Sequence, residues 1–325
     1  MASAGGHLSE LEALASEVRA HEAFLVTTLS PYSASVLPEM RRFYVRRIVR
    51  NPVNFFVNFV QSVSILLREK PNVVVSTGAG DSLPLMWVAI VLGTPVVYLE
   101  TMARVYQMSL TGRLVRRWAS VVLVQWRSLM ERYPGSICVN PLIQLKRSVQ
   151  PLPSSPSILI LTGTGERGFD RLLRGVDLLI EEGKLPYPVF AQIGHSNYIP
   201  RHYPHERFIP HSKLIASMER SDLVITHDGA GSMREALSLG KPIIVVPRES
   251  AEGELLFRSD SELAQRLDAL GWIEMVKDPR EVPHVITQLS SRNPSSEPEE
   301  GDDAREVLFE FLHNLPRAVH EPTVA

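Results

Sequence analysis

The 325-residue chain is 44% hydrophobic and 22% charged, and it carries a formal net charge of −2 at pH 7. A chain of this length suits two domains of ordinary size, and the near-neutral charge gives no general reason to expect a nucleic-acid partner. The single cysteine, Cys138, excludes an intramolecular disulfide and is typical of a reducing compartment. Polar residues and prolines interrupt the longest apolar runs, so we expect neither a transmembrane helix nor a signal peptide.

The first half of the sequence alternates between helix and strand patterns. The predicted helices are 8–19, 55–67 and 85–92, and the predicted strands are 23–27, 73–76, 95–99 and 121–124. Strands that alternate with helices favour a parallel sheet covered on both faces.

The chain opens on a glycine turn, Gly5-Gly6-His7, with almost nothing before it. An α/β domain normally places a buried strand ahead of such a turn. We therefore expect that strand to be a stub, or the start of the chain to be truncated.

A proline- and serine-rich stretch, 150–156, predicts a domain boundary. We expect an N-terminal domain at 1–150, a C-terminal domain at 151–289, and an acidic linker with a helix at 290–325. The linker, 290–303, is polar enough to be disordered, and the following helix could pack back on the body. The predicted elements of the second domain are strands 158–161, 189–194, 223–226 and 243–246 and helices 169–181 and 213–220.

The segment 221–248 carries the strongest chemical signal. A strand ends in a polar, glycine-broken turn, a helix pattern follows at once, and a second strand comes next. Such a unit presents backbone N–H groups to a phosphate. We expect Ser232 to cap the helix, with Glu235 completing a capping box. Every βαβ unit needs turn glycines, so the glycines alone do not indicate a binding site. Four polar side chains close to one strand end are not explained in this way. These side chains belong to His227, Asp228, Ser232 and Glu235.

This segment resembles the donor-nucleotide site of GT-B glycosyltransferases, in which a glycine–serine turn meets the diphosphate and a helix glutamate holds the ribose. More narrowly, it resembles the donor-binding half of the two-part enzymes that extend polyprenyl- or dolichyl-diphosphate sugars. These are the eukaryotic second N-acetylglucosaminyltransferase pair and the bacterial glucuronosyl- and galactosyltransferase pairs. The acceptor half of these enzymes is matched as well. The segments that match the acceptor half are 5–7, 76–80, Glu100, 103–105, 109–112 and 124–126, and the donor half is matched further at 169–173 and 190–196.

The resemblance implies an α/β fold of the GT-B type, with two Rossmann-like domains facing each other across a cleft. In the acceptor-binding first domain, His7 and Glu100 are the candidates for the catalytic base. Glu100 ends a buried strand and would lie at the carboxyl edge of the sheet, or it could form a structural pair with Arg104. The donor-site candidates are Gly163, Thr164, Gly194, His195, His227, Gly229, Ala230, Gly231, Ser232, Glu235, Glu254, Ser259 and Asp260.

The sequence departs from the family at one place. After Gly253-Glu254 the related enzymes present a histidine–glutamine pair to the donor sugar, and here those positions are Ser259 and Asp260. A carboxylate at 260 would repel a uronic acid, so we expect a neutral hexose or N-acetylhexosamine donor. The change also keeps open a non-catalytic UDP-sugar-binding partner subunit.

Residues 163–168 match G-x-G-x-x-G, which by itself suggests an NAD(P) oxidoreductase. That reading needs an acidic residue at the end of the next strand, where Gly194-His195-Ser196 stands instead. A GT-B sugar-nucleotide epimerase, which would use the same nucleotide site without a lipid, is a further alternative.

The one basic cluster, 41–50, precedes the aromatic stretch 55–60. This combination favours an anionic membrane surface, with a solvated strand edge and RNA binding as alternatives. We therefore predict an inverting transfer from a UDP-sugar to a polyprenyl-diphosphate-linked saccharide. We expect a peripheral protein on the cytoplasmic face of the plasma membrane, with no resident metal or cofactor and no nucleic-acid partner. The histidines at 195, 202, 205 and 211 have no metal-ligand spacing.

Overall fold

The computed structural model describes residues 1–15, 21–30, 33–34, 36–49, 51–140, 151–163, 167–254, 261–289 and 302–314. The chain forms two compact units, Met1–Leu142 with Glu299–Ala325, and Ile143–Pro298. Within the described residues, no helix has both the length and the apolar content that a membrane span requires.

The first unit contains two parallel sheets. The strands are Phe24–Thr28 (β1), Arg41–Val45 (β2), Val74–Ser76 (β3), Val96–Leu99 (β4), Val121–Val124 (β5) and Ile137–Cys138 (β6). One sheet pairs β1 with β2, and the other has the order β3-β4-β5-β6. The helices are Gly6–Ala13 (α1), Pro52–Glu69 (α2), Leu83–Val91 (α3), Leu110–Val115 (α4) and Arg127–Arg132 (α5).

Met1 and Ala2 lie between these two sheets. The Ala2 N–H donates to the Val26 carbonyl at 3.2 Å, and the Met1 nitrogen donates to the Val75 carbonyl at 2.7 Å. Met1 and Ala2 thus form no regular strand, but each bonds a strand of one of the two sheets. The turn itself depends on Gly5, whose φ of 106° favours glycine.

The second unit holds one six-stranded sheet in which every strand pair is parallel. Its strands are Ile158–Leu161 (β7), Val189–Gln192 (β8), His205–Glu206 (β9), Leu223–Thr226 (β10), Ile243–Val245 (β11) and Glu274–Met275 (β12). The order is β12-β11-β10-β7-β8-β9. The helices are Asp170–Glu181 (α6), His211–Arg220 (α7), Ala230–Ser238 (α8), Glu262–Ala269 (α9) and Val282–Leu289 (α10). Parallel strands bring the turns after β7, β8, β10 and β11 to one edge of the sheet, the carboxyl edge.

The last described helix, Ala304–His313 (α11), returns to the first unit. Alternate residues of β4 point to opposite sides, so that Val96 and Tyr98 enter one core cluster and Val97 and Leu99 the other. Leu308 of α11 is buried in the second cluster. The strands of this sheet are apolar on both faces because helices cover both faces. The predicted linker residues 290–301 lie outside the described residues.

Helix α2 exposes an apolar stripe. It begins at Pro52, where the Asn51 side chain accepts the Val53 and Asn54 N–H groups, and it ends at Lys70, which has a left-handed φ of 44°. The inward face buries Ile65 and Leu66. Large apolar side chains remain exposed on the other face, namely Val53, Phe56, Val60 and Leu67.

Candidate active site

The turn between β10 and α8 has the features of an anion site. Helix α8 begins at Ala230, with Gly229 as its N-cap. The first N–H groups of a helix have no acceptor within it, and the helix dipole favours a negative charge there. The Gly229 N–H is already used, because it donates to the Nδ1 atom of His227 at 2.9 Å. The first-turn donors of α8 are then those of Ala230, Gly231 and Ser232.

The capping box predicted at Ser232 and Glu235 is wrong. Ser232 is the third residue of α8, and no side chain of the N-cap residue closes the helix end. The His227 imidazole organises this end instead, by accepting the N–H of Gly229. Because the His227 ring accepts the N–H of the N-cap residue, Ser232 does not cap this helix.

The His227 ring is packed between two glycines. A Cβ atom at either Gly163 or Gly229 would overlap the imidazole, so both positions exclude a side chain. Burial, with the nearby Arg248 cation, lowers the pKa of His227 to about 4. The ring is therefore neutral near pH 7, and its proton is on Nε2 because Nδ1 accepts a hydrogen bond.

Asp228 and Arg248 place opposite charges beside this turn. The buried Asp228 carboxylate accepts the Arg248 backbone N–H at 3.3 Å and the Ser261 hydroxyl. The Arg248 guanidinium donates to the Thr162 carbonyl at 2.5 Å and lies 5.5 Å from the centre of the Phe169 ring. Burial lowers the pKa of Arg248, and nearby carboxylates oppose that shift. Arg248, at the end of β11, is thus bonded to the end of β10 through its backbone N–H and to the end of β7 through its guanidinium.

Glu235, the candidate ribose ligand, faces a residue from another helix. The His211 Nε2 lies 3.1 Å from the Glu235 Oε1, and the two side chains are 60% and 22% exposed. His211 is the first residue of α7. The Glu235 carboxylate is therefore held and still accessible.

The ends of β7 and β8 meet in a second glycine turn. Gly163 and Gly194 have φ values of 77° and 53°, and a Cβ at Gly194 would overlap the Gly163 carbonyl. The Gln192 amide donates to that carbonyl at 3.1 Å. Next to Gly194, the exposed His195 ring lies 4.9 Å from Phe208 in an edge-to-face pair.

Glu254 points into the second unit. Its carboxylate accepts two hydrogen bonds from Arg171, both at 3.1 Å, and the Glu249 N–H at 2.8 Å. The side chain is 5% exposed. This geometry makes Glu254 an anchor for the loop after β11. Three other donor-site candidates, Thr164, Ser259 and Asp260, lie outside the described residues.

In the first unit, His7 is joined to the end of β3. Its Nδ1 lies 2.7 Å from the Thr77 carbonyl oxygen. Because a carbonyl only accepts, Nδ1 carries the proton and the neutral ring keeps Nε2 as an acceptor. Burial lowers the pKa of His7, and the Asp81 and Arg104 charges act in opposite directions on it. This is the protonation state that a general base requires.

Glu100, the second candidate base, is fully buried. It accepts the N–H of Ser109 at 2.9 Å, the hydroxyl of Ser109 at 3.1 Å and the N–H of Thr101 at 3.1 Å. A Cβ at Gly112 would overlap its carboxylate. Burial raises the pKa of Glu100. Its bonds to Ser109, the N-cap of α4, serve to hold that helix against β4.

Sequence reasoning missed His211, Arg248 and Thr77. Arg248 follows a predicted strand, and this position at the carboxyl edge of the sheet could have marked it as a site residue. The sequence alone does not show whether such a guanidinium binds a ligand or a group of the protein. His211 was considered only as a metal ligand. Among the described residues, no group of histidine, cysteine or carboxylate side chains could hold a metal ion.

Comparisons with known families match the two halves of the chain separately. Residues 32–142 match "Oligosaccharide biosynthesis protein Alg14 like", and residues 157–310 match "Glycosyltransferase family 28 C-terminal domain". The mouse UDP-N-acetylglucosamine transferase subunit ALG14 is 33% identical over 88 residues, which are 25% of this chain and 41% of the mouse protein. The chain thus spans less than half of that relative.

A bacterial relative covers more of the chain. The UDP-N-acetylglucosamine--N-acetylmuramyl-(pentapeptide) pyrophosphoryl-undecaprenol N-acetylglucosamine transferase of Christiangramia forsetii is 24% identical over 286 residues, 75% of each protein. Among solved structures, Acinetobacter baumannii MurG has a TM-score of 0.59 at 18% identity and covers 90% of this chain and 89% of that chain. The UDP-GlcNAc 2-epimerase of Methanocaldococcus jannaschii has a TM-score of 0.68 at 13% identity, with 96% and 98% covered. At these identities the structures confirm the GT-B fold alone.

Proposed function

We propose that this chain transfers a sugar from a UDP-sugar to a lipid-diphosphate-linked saccharide. It is a GT-B protein that joins an Alg14-like domain to a glycosyltransferase family 28 C-terminal domain. The observation that carries the proposal is the glycine turn shaped around His227, at the start of a helix that also bears Glu235. The names of the relatives favour UDP-N-acetylglucosamine as the first donor to test.

The second unit would bind the nucleotide through α8. The diphosphate would accept the first-turn N–H groups of α8, and the ribose hydroxyls would donate to Glu235. The exposed ring pair of His195, after β8, and Phe208, after β9, is our candidate surface for stacking the uracil base. These contacts make the leaving UDP a stabilised anion, which is electrostatic catalysis. We therefore expect turnover without a divalent metal.

The first unit would supply the base. The acceptor hydroxyl attacks the anomeric carbon, its proton passes to Nε2 of His7, and the bond from that carbon to the UDP oxygen breaks. One in-line displacement of this kind inverts the anomeric configuration. The neutral ring and the fixed tautomer of His7 support this role. The burial of Glu100 favours a supporting role for it at the same edge.

The membrane part of the proposal rests on the outer surface of the first unit. Helix α2, which carries the apolar stripe, is bonded to the loop after β2, because Asn58 Oδ1 accepts the Arg46 N–H and the Asn54 amide donates to the Arg47 carbonyl, both at 2.9 Å. Apolar side chains flanked by arginines suit the surface of an anionic bilayer. We also propose that the protein lies on the cytoplasmic face of the plasma membrane.

Titration calorimetry with UDP tests the nucleotide site, and Glu235→Ala should weaken UDP binding by roughly 1–3 kcal/mol. Transfer from UDP-N-acetylglucosamine to a synthetic lipid-diphosphate saccharide tests the reaction. Failure of the wild type to bind UDP would exclude the proposal. Formation of a C2-epimerised UDP-sugar without acceptor would favour the epimerase alternative, and UDP binding without any turnover would favour the non-catalytic partner.

A further inference from the structure

We propose that His211 is a positioning residue for the donor nucleotide, because it holds the Glu235 carboxylate in the orientation that receives the ribose hydroxyls. The inference rests on the proposed function, in which Glu235 binds the ribose. It concerns a residue that none of the sequence motifs of the donor site includes.

The contact joins two helices. His211 Nε2 lies 3.1 Å from Glu235 Oε1, and an ionised carboxylate can only accept, so the hydrogen is on Nε2. His211 follows Pro210, the N-cap of α7, whose ring fixes φ, here −55°. The Pro210 carbonyl in turn accepts the Leu214 N–H at 2.9 Å. The imidazole therefore projects from a well-fixed piece of backbone.

The exposed fractions of His211 and Glu235 indicate whether their contact contributes to folding stability. His211 is 60% exposed and Glu235 is 22% exposed, and exposed pairs of this kind add little to folding stability. A glutamate that must bind a ligand loses side-chain freedom when it does so. If His211 has already ordered Glu235, that loss is incurred before the nucleotide arrives. The carboxylate retains acceptor sites for the ribose, because it offers about four lone pairs over its two oxygens.

The test is titration calorimetry of the full chain with UDP and with 2′,3′-dideoxy-UDP, which lacks both ribose hydroxyls. His211→Ala should weaken UDP binding roughly three- to tenfold, the range set by immobilising one side chain. His211→Gln, whose amide nitrogen replaces Nε2, should restore the affinity to within about twofold of the wild type. Lys213→Ala is the matched control. Lys213 lies on the same helix as His211, and the change removes only its surface ion pair with Glu206.

Two comparisons separate positioning from a structural effect. The loss caused by His211→Ala should vanish with 2′,3′-dideoxy-UDP, and it should vanish in a Glu235→Ala background. Unchanged UDP affinity in His211→Ala, or an equal loss for both nucleotides, would overturn the inference while the proposed function stands. A wild type that binds no UDP would overturn both.

Discussion

His7 and Thr77 are joined by two reciprocal hydrogen bonds. The His7 ring donates from Nδ1 to the Thr77 carbonyl at 2.7 Å, and the Thr77 hydroxyl donates to the His7 carbonyl at 2.6 Å. The first bond sets the tautomer of the ring, and the second ties the backbone of the glycine turn to the end of β3. Together the two bonds fix the orientation of the ring and therefore of the Nε2 lone pair. Proton transfer from a bound hydroxyl requires such a fixed orientation.

Replacing His7 should therefore damage turnover and not donor binding. We expect His7→Gln to lower kcat by about a hundredfold or more, with UDP affinity unchanged. Because burial lowers the pKa of His7 from 6.5, the base stays neutral at mildly acidic pH. The rate should then fall only as the pH drops below 6.5 through that lowered pKa. A kcat/KM–pH profile, which reports the groups of the free enzyme, with its acid limb above 6.5, or near-normal turnover in the variant, would place the base elsewhere.

The packing of His227 against Gly229 gives a second prediction. The φ of Gly229 is −75°, which any residue can adopt, so Gly229→Ala adds only the overlap of its Cβ with the imidazole. We expect UDP binding to weaken by about 1–3 kcal/mol, as for overpacking. Gly80→Ala is the control, because a Cβ at that position of the first unit meets nothing within 4 Å. Calorimetry should also show partial recovery in a Gly229→Ala, His227→Ala double variant; additive losses would contradict the packing argument.

The basic cluster divides into structural and accessible arginines. The Arg42 guanidinium donates to the carbonyls of Ala34, Val36 and Leu37, so its replacement should disturb that loop. Arg46 and Arg47 are exposed.

Binding to anionic vesicles should therefore depend on Arg46 and Arg47. Each reversal to glutamate should cost about 1 kcal/mol, and the loss should shrink at high salt. Arg280→Glu makes the same change in net charge at an exposed site of the second unit and is the control. Flotation with phosphatidylserine vesicles measures the effect. Equal losses in all three variants would indicate a net-charge effect, and no loss in Arg46→Glu or Arg47→Glu would indicate a solvated edge.

The strands and the donor helix could be predicted because their signals are local. The predicted strands 121–124 and 158–161 have the observed bounds, since apolar runs ended by polar or glycine residues define a buried parallel strand. The first helix was predicted from 8 to 19, whereas α1 spans Gly6–Ala13. The residues from 16 to 20 lie outside the described part of the chain. Local patterns thus placed the turns that carry Gly229 and Gly163.

The partners of the site residues could not be predicted, because they come from distant parts of the sequence. Glu254 was expected to face the donor, but it binds Arg171, which lies 83 residues earlier. The Glu100 carboxylate was considered a base or a partner of Arg104, and its bonds to Ser109 depend on how the loop folds back. Periodicity reports which residues are buried, and only the packed chain determines what a buried polar group meets.

The C-terminal helix should stabilise the first unit. Leu308 is 1% exposed and packs with Leu99 and Leu123, so Leu308→Ala should destabilise that unit by about 2–4 kcal/mol. Phe309→Ala is the control, because Phe309 is 51% exposed. Hydrogen exchange at the amides of β4 and β5 reports on this unit alone, which matters in a chain of two units. Faster exchange in both variants, or in neither, would contradict the packing of α11.

The last prediction concerns the charge pair at the donor turn. Asp228 places a buried carboxylate next to the helix end that would bind a diphosphate, and a negative charge there opposes anion binding. The Arg248 cation compensates, because a nearby positive charge in a partly buried site favours a bound anion. Arg248→Met should therefore weaken UDP binding about tenfold or more and leave the affinity for uridine, which has no charge, nearly unchanged. Calorimetry with both ligands at two salt concentrations separates the effects, since the charge effect should decline with salt. An equal loss for UDP and uridine would show that Arg248 acts by packing on Phe169 and holding the Thr162 carbonyl, and not by its charge.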